Sequence, residues 1–131
     1  MMLSERQRKF SRMLANQFAW MLGQGMEWTL GDAWRSTDVL MCPDCGGEVT
    51  YQELLVYNGR SKVRASAHND RCAIDLNIYV DGRVSNKGQD YRAMGEHWEK
   101  LGGRWGGRFG VEPADYAVKV GWDPGHLEVD K

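Results

Sequence analysis

His68, Asp75, Asp123 and His126 are the residues whose types and spacing fit a hydrolytic metal centre. Such centres take His, Asp, Glu or Cys from rigid elements; a catalytic zinc site commonly uses three protein ligands and leaves a fourth position to water. Asp75 stands in the middle of the apolar run from Cys72 to Val80. A carboxylate there is costly if buried alone, so it faces solvent, meets a cation or binds a metal. His68 lies upstream, at the end of a polar stretch feeding that run. Near the other end of the chain, Asp123-Pro124-Gly125-His126 has the composition of a type II turn. Such a turn brings its first and last residues within about 7 Å. His68, Asp75 and His126 can then hold a divalent metal, with Asp123 beside it as general base. Glu128 shares a strand face with His126 and can orient its imidazole. Each residue also reads as an ordinary surface or hydrogen-bonded side chain. Neither His-x6-Asp nor Asp-x2-His carries a local mechanism of the kind His-Glu-x-x-His does.

The elements that must position these residues follow from periodicity. Phe10, Leu14, Phe18 and Met21 recur at helical spacing, widened by Met13 and Trp20, and predict a helix from Ser4 to Gly23. Ser4 and Gln7 have capping-box spacing, and Gly23 and Gly25 are stop signals. A short strand is expected within Met26–Trp34, helix for part of Thr50–Tyr57, and a polar loop over Asn58–His68. In the strand Cys72–Val80, Cys72, Ile74, Leu76, Ile78 and Val80 share one face; Ala73, Asp75, Asn77 and Tyr79 share the other. Asp81-Gly82 reads as a hairpin turn, Tyr91–Leu101 as a helix stopped by Gly102-Gly103, Tyr116–Trp122 as a strand and His126–Asp130 as a final strand. A leading helix, mostly antiparallel strands and one inserted helix make an α+β fold.

Length and charge set the limits. The 131 residues suit a single domain, 1–131, with a core that needs no disulfide. A formal charge of -1 excludes a broadly basic nucleic-acid binder. No apolar run approaches the roughly 18–20 residues of a membrane helix. The amphipathic start MMLSERQRKF is not a signal peptide, so synthesis in a bacterial cytoplasm is expected. Three cysteines cannot all pair within the chain. Cys42 and Cys45 form half of a zinc ribbon, but a structural site needs four ligands, so a plain loop with two thiols is the simpler reading. Cys72 falls on the apolar strand face as a core thiol. His97, on a helix rich in Glu and Lys, reads as a surface histidine. Trp105 either packs in the core or walls a cleft.

Further pieces complete a pattern: Ser66-Ala67-His68, Ala73-Ile74-Asp75-Leu76-Asn77, Tyr79-Val80-Asp81-Gly82, Gly95-Glu96-His97-Trp98, Trp105-Gly106-Gly107-Arg108-Phe109 and Asp123-Pro124-Gly125-His126-Leu127-Glu128. In this order, over roughly Ser4 to Val129, the chain resembles the zinc D-Ala-D-Ala carboxypeptidase and L-Ala-D-Glu endopeptidase family of the hedgehog/DD-peptidase fold. That family includes phage peptidoglycan endopeptidases. The resemblance implies one catalytic zinc on His68, Asp75 and His126, with Asp123 as base. It implies a substrate-contacting arginine, which Trp34-Arg35-Ser36 supplies as Arg35. It also implies action on cell-wall stem peptides; the expected setting is a phage endolysin, and the expected state a monomer. Leu127 stands where the family usually has Phe, and the Cys42–Cys45 segment is foreign to the pattern. Two rival readings come from other classes: a non-hydrolytic metal-containing binding module on the same fold, and a zinc or redox protein centred on Cys42 and Cys45.

Overall fold

The computed structural model describes residues 2–33, 39–41, 48–50 and 70–130. Helix α1 spans Leu3–Gly23. Strands follow at β1 (Glu27–Leu30), β2 (Val39–Met41), β3 (Glu48–Thr50), β4 (Ala73–Val80) and β5 (Arg83–Val84). Helix α2 (Arg92–Lys100), β6 (Arg104–Trp105) and β7 (His126–Glu128) complete the order. The main sheet runs β1-β4-β7-β6, with β5 also on β4; β2 and β3 form a separate antiparallel pair. Every strand pairing among the described residues is antiparallel, and the architecture is α+β as the periodicity implies. Of the segment Thr50–Tyr57, expected to be helical in part, only Thr50 is described, and it ends β3. The rest of that segment and the polar loop Asn58–His68 lie outside the described residues, as do His68, Arg35, Cys42 and Cys45.

β4 organises the molecule. Its alternation holds from Ile74 to Tyr79: Ile74, Leu76 and Ile78 are buried, while Asp75, Asn77 and Tyr79 are half-buried. At the ends, Ala73 is buried despite its place on the polar face, and Val80, next to the hairpin turn, is exposed. Asp81 and Gly82 both take positive φ, 52° and 76°. That is the backbone of a two-residue type I′ hairpin, whose twist matches the strands it joins. Val80 and Arg83 pair across it.

α1 and α2 cover the apolar side. Phe10, Met13 and Met21 of α1 meet Ile74, Leu76 and Ile78 of β4, Met94 and Trp98 of α2, and Leu127 and Val129. Phe10 meets Trp98 edge-on, with ring centroids 5.9 Å apart. Two polar residues share the buried stripe of α1, which apolar periodicity does not anticipate. Gln17 donates to Met94 O at 2.9 Å. Arg6 donates to Val129 O through Nε and Nη2 at 3.0 and 2.6 Å and pairs with Asp70 at 3.1 Å. It thereby ties the helix to the start of β4 and the end of β7. A buried guanidinium is tolerated because its donors are satisfied.

Several sequence expectations are corrected. The cap of α1 is not Ser4. The helix begins one residue earlier, Met2 is the N-cap, and Glu5 accepts the Met2 N–H at 3.0 Å; Gln7 instead donates to Asp70 O. His97 is not a simple surface histidine. Its ring stacks on Trp20 at 4.0 Å with Nδ1 2.7 Å from Gln17 Oε1, and burial, aided by Lys100, holds its pKa below the usual value. Residues 116–118 form a turn and 119–122 run irregularly, not as a strand. Their backbone donors return locally to Asp115 O or cross to Gly107 O and Phe109 O, leaving Val118 exposed, so the apolar alternation marks no ladder.

Trp105 is 1% exposed, which places it in the core and removes it as a cleft wall. A Cβ on Gly95 of α2 would run into its indole ring. Gly95→Ala should therefore lower stability by about 1–3 kcal/mol through overpacking. The helix-propensity gain of about 1 kcal/mol opposes this and is the smaller effect. Thermal melts of the two proteins test it; an unchanged or raised Tm would show that the indole can move aside.

Candidate active site

Asp75 lies where β4 is gripped from both edges. Gly31 N donates to Asp75 O at 2.7 Å and Asp75 N to Asp32 O at 2.8 Å, on the β1 side. On the β7 side Asp75 is in register with His126. A ligand mounted on a doubly paired strand is held more firmly than one on a loop.

The Asp123–His126 turn closes with its i→i+3 bond, His126 N to Asp123 O at 3.1 Å. It is not the type II turn expected, because that turn needs positive φ at its third residue and Gly125 lacks it. Glycine serves a different purpose there. A Cβ on Gly125 would collide with Leu76 O, while Gly125 O accepts from Leu76 N at 2.9 Å. On the other side, a Cβ on Gly106 would collide with Asp123 O and crowd His126 Cβ. The turn is wedged between β4 and the bend after β6. Trp105 Nε1 donates to Pro124 O at 2.7 Å and pins it from the core.

Three of the four proposed centre residues lie within the described chain, and they converge. Asp75, Asp123 and His126 each offer a ligand atom, all within 4.8 Å of one another. His126 is 5% exposed. Its Nδ1 lies 3.2 Å from Asp75 Oδ1 and 3.7 Å from Asp123 Oδ2. Its Nε2 lies 2.7 Å from Glu128 Oε2, and Glu128 Oε1 pairs with Arg104 at 2.9 Å. Burial opposes charge on the ring, yet hydrogen bonds to Asp75 and Glu128 and the charges of Asp123 and Asp75 outweigh it, pushing the His126 pKa up to about 9. Burial would raise the Glu128 carboxyl, but His126, Arg104 and Arg6 hold it below the usual range.

The donor set suits a metal ion. A ligating histidine typically gives its second N–H to a carboxylate, which fixes the tautomer. Glu128 is placed to accept from Nε2, turning the Nδ1 lone pair of the neutral ring toward Asp75 and Asp123. One imidazole nitrogen with carboxylate oxygens matches a borderline ion such as zinc. Arg104 escaped the sequence reading; Gly106, in Trp105-Gly106-Gly107, is expected in a bend or strand beside the cleft. Glycine beside tryptophan was a signal for close approach, but which backbone approaches depends on the fold.

An open cavity of about 280 Å³ adjoins the cluster, lined by Asp75, Asn77, Ser85, Asn86 and Asp123 among others. Residues 59–117 match the family model described as D-alanyl-D-alanine carboxypeptidase. The chain is similar to this peptidase family. The carboxypeptidase match contains positions 68 and 75 and ends before the Asp123 turn. A solved structure, the L-Ala D-Glu endopeptidase ChiX of Serratia marcescens, superposes with a TM-score of 0.59 at 19% identity, covering 97% of this chain and 85% of that one. No curated protein matches. The comparison structure shows the fold, and the carboxypeptidase match points to a peptidase. No helix among the described residues is long and apolar enough to cross a membrane.

Proposed function

We propose that this chain is a zinc-dependent peptidase, active as a monomeric single domain, that hydrolyses an amide bond in peptidoglycan stem peptides. The favoured bond is L-Ala-D-Glu, with D-Ala-D-Ala next, and the biological setting is a phage endolysin acting on the host cell wall. The observation that carries this reading is the convergence of Asp75, Asp123 and His126 beside an open cavity.

Asp75 and His126 would hold the ion, with His68 as the third ligand implied by the family resemblance. When bound, zinc supplies Lewis-acid polarisation of the scissile carbonyl and lowers the pKa of water. Asp123 takes the proton of the attacking water and delivers it to the leaving amine. Its side chain is 36% exposed, so it reaches both cluster and solvent. Glu128 holds the His126 ring in place, itself fixed by Arg104. Arg35 would pair with a substrate carboxylate or the developing oxyanion.

Digestion of purified peptidoglycan, read by mass spectrometry, tests the reading. Expected are new L-Ala C-termini on the glycan side and new D-Glu N-termini, abolished by a chelator and restored by zinc. Release of D-Ala alone would move the assignment to a carboxypeptidase. Absence of any cleavage with zinc present would overturn it.

A further inference from the structure

We propose that Trp122 is a substrate-contact residue, an indole platform against which a C–H-rich face of the stem-peptide substrate packs next to the scissile bond; this rests on the peptidase reading above. Trp98 and Trp105 are buried, whereas Trp122 is 47% exposed, although it directly precedes Asp123. Its position is built. Trp122 N donates to Phe109 O at 3.3 Å. The Phe109 ring lies against the indole at 5.4 Å between centroids and against His126 at 5.6 Å. Gly110 takes φ +74°, and a Cβ there would come within 3.1 Å of Trp122 Cδ1. The indole is thus one ring removed from the imidazole of the metal cluster.

Neither Phe109 nor Trp122 lines the polar cavity beside Asp75. The cluster therefore has two different flanks: a polar recess suited to the peptide's amides, and an aromatic shelf suited to apolar substrate surface. An indole loses little side-chain freedom on binding and offers a large flat face. Peptidoglycan has two C–H faces that can reach it, the alanine methyl and the pyranose ring of the sugar that bears the stem.

Calorimetric titration of zinc-loaded Asp123→Asn protein, which binds its ligands but turns them over slowly, separates these sources and tests the platform. The probes are a disaccharide-tetrapeptide and the free tetrapeptide. Adding Trp122→Ala is expected to weaken binding about three- to ten-fold. Trp122→Phe should recover most of it, with zinc content and Tm unchanged in both. Loss confined to the disaccharide-bearing probe would place the sugar on the indole; equal loss on both would place the alanine methyl there. Unchanged affinity overturns the platform while leaving the peptidase reading standing. So does a loss that travels with zinc or that Phe does not rescue. If Asp123→Asn with Trp122 intact binds neither probe, the stem-peptide reading itself falls, and the platform with it.

Discussion

Asp123→Asn should lower kcat on a stem-peptide substrate by about 10²- to 10⁴-fold, the usual contribution of a positioned general base, with KM little changed and zinc still bound. The substitution keeps the size and shape of the side chain and removes its capacity to accept a proton. The turn should survive it, because its closure depends on backbone: His126 N to Asp123 O, and Leu76 N to Gly125 O. His126 keeps its two shorter partners, Asp75 at 3.2 Å and Glu128 at 2.7 Å, against 3.7 Å to Asp123. The family resemblance, which places the base three residues before the last histidine, is the reason to assign Asp123 to the proton and not to the ion. Steady-state kinetics and elemental analysis on the same preparation decide between these roles. Unchanged turnover would remove the base assignment, and loss of zinc would make Asp123 a ligand.

What the sequence made legible was whatever a local period controls. The alternation of β4 put Asp75 opposite Ile74 and Leu76, and the same logic put His126 and Glu128 opposite Leu127 and Val129. Burial follows this from Ile74 to Tyr79, whereas in β7 His126 is buried along with Leu127, because its ring meets Asp75 and Glu128. The hairpin at Asp81-Gly82 was equally local. What was not legible depended on residues far apart in the chain. Arg6 looks like a surface charge of an amphipathic helix until Val129 O and Asp70 arrive beside it. Gln17 breaks an apolar stripe until Met94 O and His97 receive it. Residues 116–122 alternate as a strand would, but their hydrogen-bond partners lie in the bend after β6 and in their own turn. Gly125 suits a type II turn by composition, whereas its actual constraint is the approach of Leu76 O. Residue types and the turn composition brought residues 75 and 123–126 into one hypothesis, and the motif order strengthened it.

His126→Ala should abolish both zinc binding and turnover. Wild type is expected to carry about one zinc per chain, and the variant close to none. The loss follows from the missing nitrogen ligand: His126 stands between Asp75 on one ring nitrogen and Glu128 on the other, and its removal leaves carboxylates alone around a gap where the imidazole sat. Arg104 continues to pair with Glu128, and α1 and α2 do not depend on the imidazole, so the variant should still fold. The ring also sets the pH dependence. In the metal-free protein its pKa is raised to about 9, so at pH 7 it carries a proton that zinc must displace from Nδ1. Zinc affinity should therefore rise with pH up to about 9 and fall below it, and adding zinc to unbuffered wild type near pH 7.5 should release a proton that His126→Ala does not. The double replacement Cys42→Ser, Cys45→Ser should leave zinc content and proton release intact. Zinc retained by His126→Ala and lost with the cysteines would transfer the metal to the thiols, and Asp75 and Asp123 would then have to be explained as an ion-pair network around a protonated histidine.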